Sequence, residues 1–185
     1  MNARELLQRA EACRRTGDEA GALAAYTQAA AAAQAVFEPA VEARAMLGVG
    51  EMRLLQDDPA GARQAFDDAI GRAVEGGDPE VEAEAWFGLA SACFDAGASK
   101  DGHDALLEAM ALARDLADRS PTDRMKKGRL ARAVRLYGEH IGVLGSESDA
   151  KQALELARIM YTDLGDLEAA RSVQQEIEKL NAWAR

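Results

Sequence analysis

A chain of 185 residues with 48% hydrophobic and 29% charged side chains is long enough to bury a core and too apolar to stay disordered. Its net charge of −10 and isoelectric point near 4.8 oppose binding to a phosphate backbone, which relies on Lys and Arg, so no nucleic-acid partner is expected. The charged opening MNARELLQRAEACRR lacks an apolar signal core, and no run of about 18 apolar residues follows, so a cytoplasmic protein with no membrane partner is expected.

Aromatics are 5% of the chain and only four prolines interrupt it, so helix formers dominate and the expected class is all-α. In chain order, helices are predicted at 2–15, 18–36, 39–56, 59–75, 79–96, 102–118, 122–144, 146–163 and 166–184. The break RTGDEAGALAAY at 15–26 returns forty residues later as LQDDPAGARQAF and again as DAGASKDGHDAL. A fourth copy, VLGSESDAKQAL, follows after 48.

Aligned, the copies share columns: Ala10, Gly50, Ala90 and Gly138; Gly17, Asp57, Gly97 and Gly145; Ala22, Ala62, Gly102 and Ala150; Tyr26, Phe66, Leu106 and Leu154; Ala29, Ala69, Ala109 and Ala157. A small residue on the first helix lets another backbone approach, and the Gly or Asp seven residues on turns the chain. Small, large and Ala at 0, +4 and +7 then form one face of a second, antiparallel helix.

This pattern resembles the tetratricopeptide repeat (TPR) family, carried by Trp86, Leu89 and Ala90 on a first helix and by the Ala, Tyr/Phe/Leu, Ala columns on the second. The match runs from about Ala3 to Leu164 and is similar to the family's long-helix variants in adaptors, kinesin light chains and peptide-sensing regulators. It implies one right-handed α-solenoid domain over 1–185, with repeats at 3–38, 39–78, 79–121 and 122–165. A ninth helix at 166–184 would cap the exposed end.

Chemistry is thinly represented. Cys13 and Cys93 fall with Arg53 and Ile141 in one helical column, where a small buried hydrophobe is the ordinary role; Arg53 breaks the column, with Met52 or Leu54 able to replace it. His103 is placed in a turn and His140 on a half-buried helix, with no triad or metal spacing. The glycines lie inside helical columns and not after a strand. Neither catalytic residues nor cofactor are expected.

The resemblance places first helices on a concave groove. Carried over residue by residue, it implies a partner-binding face of Arg4, Leu7, Glu11 and Arg14; Arg44, Leu47, Glu51 and Leu54; Glu84, Phe87, Ser91 and Phe94; and Arg129, Arg132, Arg135 and Glu139. Relatives that clamp a terminal carboxylate place Asn where this chain has Glu11, Glu51, Ser91 and Glu139. Phe87 and Phe94 stand two turns apart, as an apolar anchor for a peptide or helix or as packing against the next repeat. From Arg124 to Arg135 there are six basic residues, with Lys126, Lys127, Arg129 and Arg132 between, and no acidic one. They form a solvated face or a site for an acidic segment. The expected function is a protein-interaction module, adaptor or regulator. The alternatives are a homodimer through Ile177, Leu180 and Trp183, or a sensor of short signalling peptides.

Overall fold

A computed structural model describes residues 1–143 and 146–183, apart from the side chains of residues 142, 143 and 183. Among the described residues there are nine α-helices and no strand: α1 (Ala3–Arg15), α2 (Glu19–Ala35), α3 (Pro39–Leu55), α4 (Pro59–Gly76), α5 (Pro79–Asp95), α6 (Ser99–Arg119), α7 (Arg124–Val143), α8 (Glu147–Asp163) and α9 (Leu167–Trp183). The predicted helix end at Leu144, the Gly145 turn and Ala184 lie outside the described residues.

The turns explain the helix boundaries. Gly17, Phe37, Asp57, Gly77 and Gly97 all have left-handed backbone, φ between 56° and 77°, at a spacing of twenty residues. The next residue is then the N-cap of the following helix in α2 to α5. Asp18 and Asp58 accept hydrogen bonds from the backbone N–H of Gly21 and Gly61, both at 2.9 Å, and Asp78 accepts from Val81 at 3.3 Å. Proline follows at the start of α3, α4 and α5, where its missing N–H costs nothing. The same register starts α6 at Ser99, three residues before the predicted start at 102. Gly102 is therefore a buried interior position of α6 and not its beginning.

Packing follows the columns. The rings of Tyr26 and Phe66 lie where a side chain on Gly48 or Gly50 would stand, 2.5 Å from the would-be Cβ in each case, and Phe66 also fills the space beside Gly88. Tyr26 is thus seated on bare backbone of the next first helix, and Phe66 on that of both its own first helix and the next. Gly128 continues the forty-residue spacing of Gly48 and Gly88 but has nothing within 4 Å. The eight extra residues of the fourth copy have lengthened α6 to 21 residues and α7 to 20, against 17 or 18 in α2–α5, and Leu154 now packs on Gly138.

The chain forms two compact units, Met1–Ala98 with α1–α5 and Ser99–Arg185 with α6–α9. In the first, successive helices pack as antiparallel neighbours, and α1 also meets α3 and α3 meets α5. Its core includes Ala10, Ala22, Ala25, Tyr26, Val49 and Met52. In the second, Ala131 and Val134 of α7, Ala153, Leu154, Ala157 and Tyr161 of α8, and Ala170, Val173 and Ile177 of α9 form one cluster. α9 therefore closes that cluster, while its Glu168, Arg171, Gln175, Glu178 and Lys179 are exposed.

Candidate functional site

Because α1 and α3, and α3 and α5, lie side by side, the first unit has a face built from first helices. The charges on it are paired between neighbours. Arg4 meets Glu38 at 3.5 Å, and Arg44 meets Asp78 at 2.8 Å. Both acids lie 34 residues on, at the cap of the next first helix, so the clasp repeats with the fold. Arg14 of α1 donates to Glu51 of α3. Partial burial works against the Arg14 charge, but Glu51, with Tyr26 and Glu11 adding to it, more than offsets this, and the guanidinium is held charged beyond its usual range. Burial pushes the Tyr26 phenol above its ordinary value, against the pull of Arg14 beside it.

The same helices carry half-buried apolar side chains. Leu7 is half-buried against two core clusters, and half-buried Leu47 packs on Ala43, Ala73 and Val81, so both serve the fold. Leu54, Glu84, Phe87, Ser91 and Phe94 are half-buried, and Glu11 is exposed. The Ser91 hydroxyl donates to the Phe87 carbonyl at 3.2 Å, within its own helix.

In the second unit the basic helix is engaged by its own surroundings. Arg135 donates to Glu139 at 2.8 Å, to Ser172 at 3.1 Å and to Glu176. Arg124 donates to the Leu164 carbonyl, and Lys126 reaches Ser120 at 3.3 Å and Asp123 at 3.9 Å. Arg129 is half-buried and Arg132 exposed. Burial, then the neighbouring Glu139, holds the Glu176 carboxyl above the usual carboxylate range, with Arg135 opposing; its Oε2 is buried without a hydrogen-bond partner. The acids that neutralise the basic stretch come from outside it. The 34-residue interval from Arg4 to Glu38 and from Arg44 to Asp78 was a sequence signal for such clasps; Arg135–Glu176 had none.

Cys93 is buried and Cys13 half-buried, and neither is in a disulfide. Met52, 2% exposed, takes the core place that Arg53 vacates, and Arg53 turns to Asp58 at 2.7 Å. His103 is not a solvated turn residue: the earlier start of α6 half-buries it in the helix, its ring 5.4 Å from Tyr137 and its Nδ1 buried without a partner. Ile177 is buried within the α7–α9 cluster and Leu180 packs against it, while the Trp183 side chain lies outside the described residues. Among the described residues no three His, Cys, Asp or Glu side chains converge as metal ligands, and no helix is long and apolar enough to cross a membrane.

No family model and no curated protein matches the sequence. Solved structures do match it. The apo form of RapI is 14% identical with a TM-score of 0.75, over 97% of this chain and 65% of RapI. A Rap protein complexed with competence and sporulation factor is 14% identical with a TM-score of 0.69, over 96% and 53%. The TPR-like repeats of a putative kinesin light chain from Podosopora anserina are 15% identical with a TM-score of 0.55, over 98% and 96%. The chain thus spans less than two thirds of either Rap structure. The fold is that of TPR-type helical repeats, an all-α solenoid architecture.

Proposed function

We propose that the chain is a non-enzymatic protein-interaction module that holds a peptide or helix of a partner protein against its first-helix face. The observation that carries this reading is the arrangement on α1, α3 and α5. Half-buried Leu54, Phe87 and Phe94 offer apolar contact, while Arg4–Glu38, Arg14–Glu51 and Arg44–Asp78 fix the helices beside one another. A prearranged face spends little binding energy on ordering itself. Recognition is then by shape and apolar anchoring, with no bond made or broken. On α7, half-buried Arg129 and exposed Arg132 extend the reading to an acidic segment of the partner.

The test is selection of peptides from a random phage-displayed library on the intact chain, followed by binding kinetics of the enriched peptides. Phe87→Ala with Phe94→Ala is expected to weaken them at least tenfold, mainly by faster dissociation, because truncating a desolvated aromatic anchor commonly costs about 2 kcal/mol. Peptides that bind the double variant as they bind the parent would place recognition elsewhere. A second reading, a sensor that closes on a short signalling peptide, is favoured by the likeness to the Rap protein complexed with competence and sporulation factor. It requires enriched peptides to make the chain more compact in small-angle scattering.

A further inference from the structure

The first two repeats place an aromatic ring at the same point and differ there by one oxygen. Tyr26 and Phe66 stand forty residues apart, 3% and 1% exposed, each with its ring over a glycine of the next first helix, Gly48 or Gly88. Phe66 shows that the ring alone meets the needs of packing. The Tyr26 hydroxyl makes no hydrogen bond among the described residues, and its oxygen is not shut away from solvent as the partnerless Arg53 Nε and His103 Nδ1 are. A buried tyrosine normally gives its hydroxyl a partner. This one has its ring in the core of the first unit and its hydroxyl within reach of the charges of Arg14, Glu51 and Glu11, at the seam where α1 meets α3.

Those charges leave one acid over. Arg14 stands one turn from Glu11 on α1 but bridges to Glu51 of α3, and Arg44, close enough to feel the Glu11 charge, is bonded to Asp78. Two guanidinium groups thus meet three carboxylates. Glu11 is exposed and forms no ion pair among the described residues, on a face whose Arg4, Arg14 and Arg44 are all paired. An anion arriving here must break an existing pair, whereas a cation meets an unspent carboxylate and a hydroxyl able to accept.

We propose that Glu11 and the Tyr26 hydroxyl together receive a basic side chain, lysine or arginine, of a peptide held on the first-helix face. This site rests on the peptide-binding reading of that face, and it fixes the charge of one peptide residue. Carboxylate and phenol oxygen both accept from an ammonium or guanidinium N–H, and the Arg14–Glu51 bridge holds together the two helices between which the hydroxyl stands. The net charge of −10 favours the approach of a basic peptide.

The test is phage selection of random peptides on the parent, on Glu11→Gln and on Tyr26→Phe. Binding is then measured for the peptides enriched on the parent and for their Lys→Gln or Arg→Gln counterparts. Lysine or arginine is expected at one fixed position of the parent-selected peptides, and is expected to lose that enrichment on Glu11→Gln. Glu11→Gln should weaken these peptides about tenfold and Tyr26→Phe about threefold to tenfold, while both variants bind the neutral counterparts as the parent does, the coupling that marks a direct contact. Tyr26→Phe should also keep or raise the melting midpoint, since its hydroxyl has no partner inside the fold. A lowered midpoint would return the hydroxyl to the structure and overturn the site. Enriched peptides that need Phe87 and Phe94 but carry no fixed basic residue, or that bind both variants like the parent, would overturn it and leave the peptide-binding reading standing. A selection that enriches no peptide would overturn both.

Discussion

At the scale of single residues, Phe37 stands exposed in left-handed backbone, φ 56°. A non-glycine residue in left-handed backbone costs roughly 1–2 kcal/mol, and glycine returns about half of that gain through its freer unfolded chain. An almost fully exposed ring gives nothing back by burial. Phe37→Gly is therefore expected to stabilise the fold by about 1 kcal/mol, seen as a higher urea midpoint with unchanged slope. Helix glycines divide by what surrounds them. Gly88→Ala should destabilise by about 1–3 kcal/mol, because its methyl group would meet the Phe66 ring. Gly71→Ala, with nothing within 4 Å in the exposed face of α4, should stabilise by about 0.5–1 kcal/mol. Equal effects at the two positions would mean that Phe66 is not seated as described.

At the scale of elements, helix pairing was legible because a forty-residue repeat imposes size on its columns: Ala22, Ala62 and Ala157 are fully buried where the pattern required small residues. The glycine column of Gly48 and Gly88 was equally periodic, but its purpose depends on Tyr26 and Phe66 arriving from the neighbouring helix. Sequence also could not tell that Arg135 is used internally. Its partners Ser172 and Glu176 are 37 and 41 residues away on the non-repeating α9. That contact has a pH signature. A Glu176 carboxyl that holds its proton more tightly folded than unfolded makes the folded state bind more protons, so stability falls as pH rises from the ordinary glutamate range through the higher folded value. Unfolding midpoints of the parent should show this decline against those of Glu176→Gln, in which the contribution is absent. Parallel pH profiles would remove Glu176 from the docking of α9.

At the scale of the whole molecule, stability in a repeat array is transmitted mainly between neighbours, so the effect of losing an end spreads inward from it. α9 supplies Ala170, Val173 and Ile177 to the cluster it shares with α7 and α8, and burial of Val173 and Ile177 alone contributes about 1.5–3 kcal/mol each. It also supplies two of the groups that hold Arg135. Deleting residues 167–185 should leave in water the side of the α7–α8 cluster that α9 covers. Hydrogen exchange is then expected to lose protection in α7 and α8 while α1 to α4 keep theirs, and the truncated chain should aggregate on sedimentation. The self-association alternative for α9 predicts the reverse order of events. A full-length dimer that becomes a well-protected monomer on truncation would assign α9 to an interface, whereas exposed α8 protons and aggregation assign it to closing the second unit.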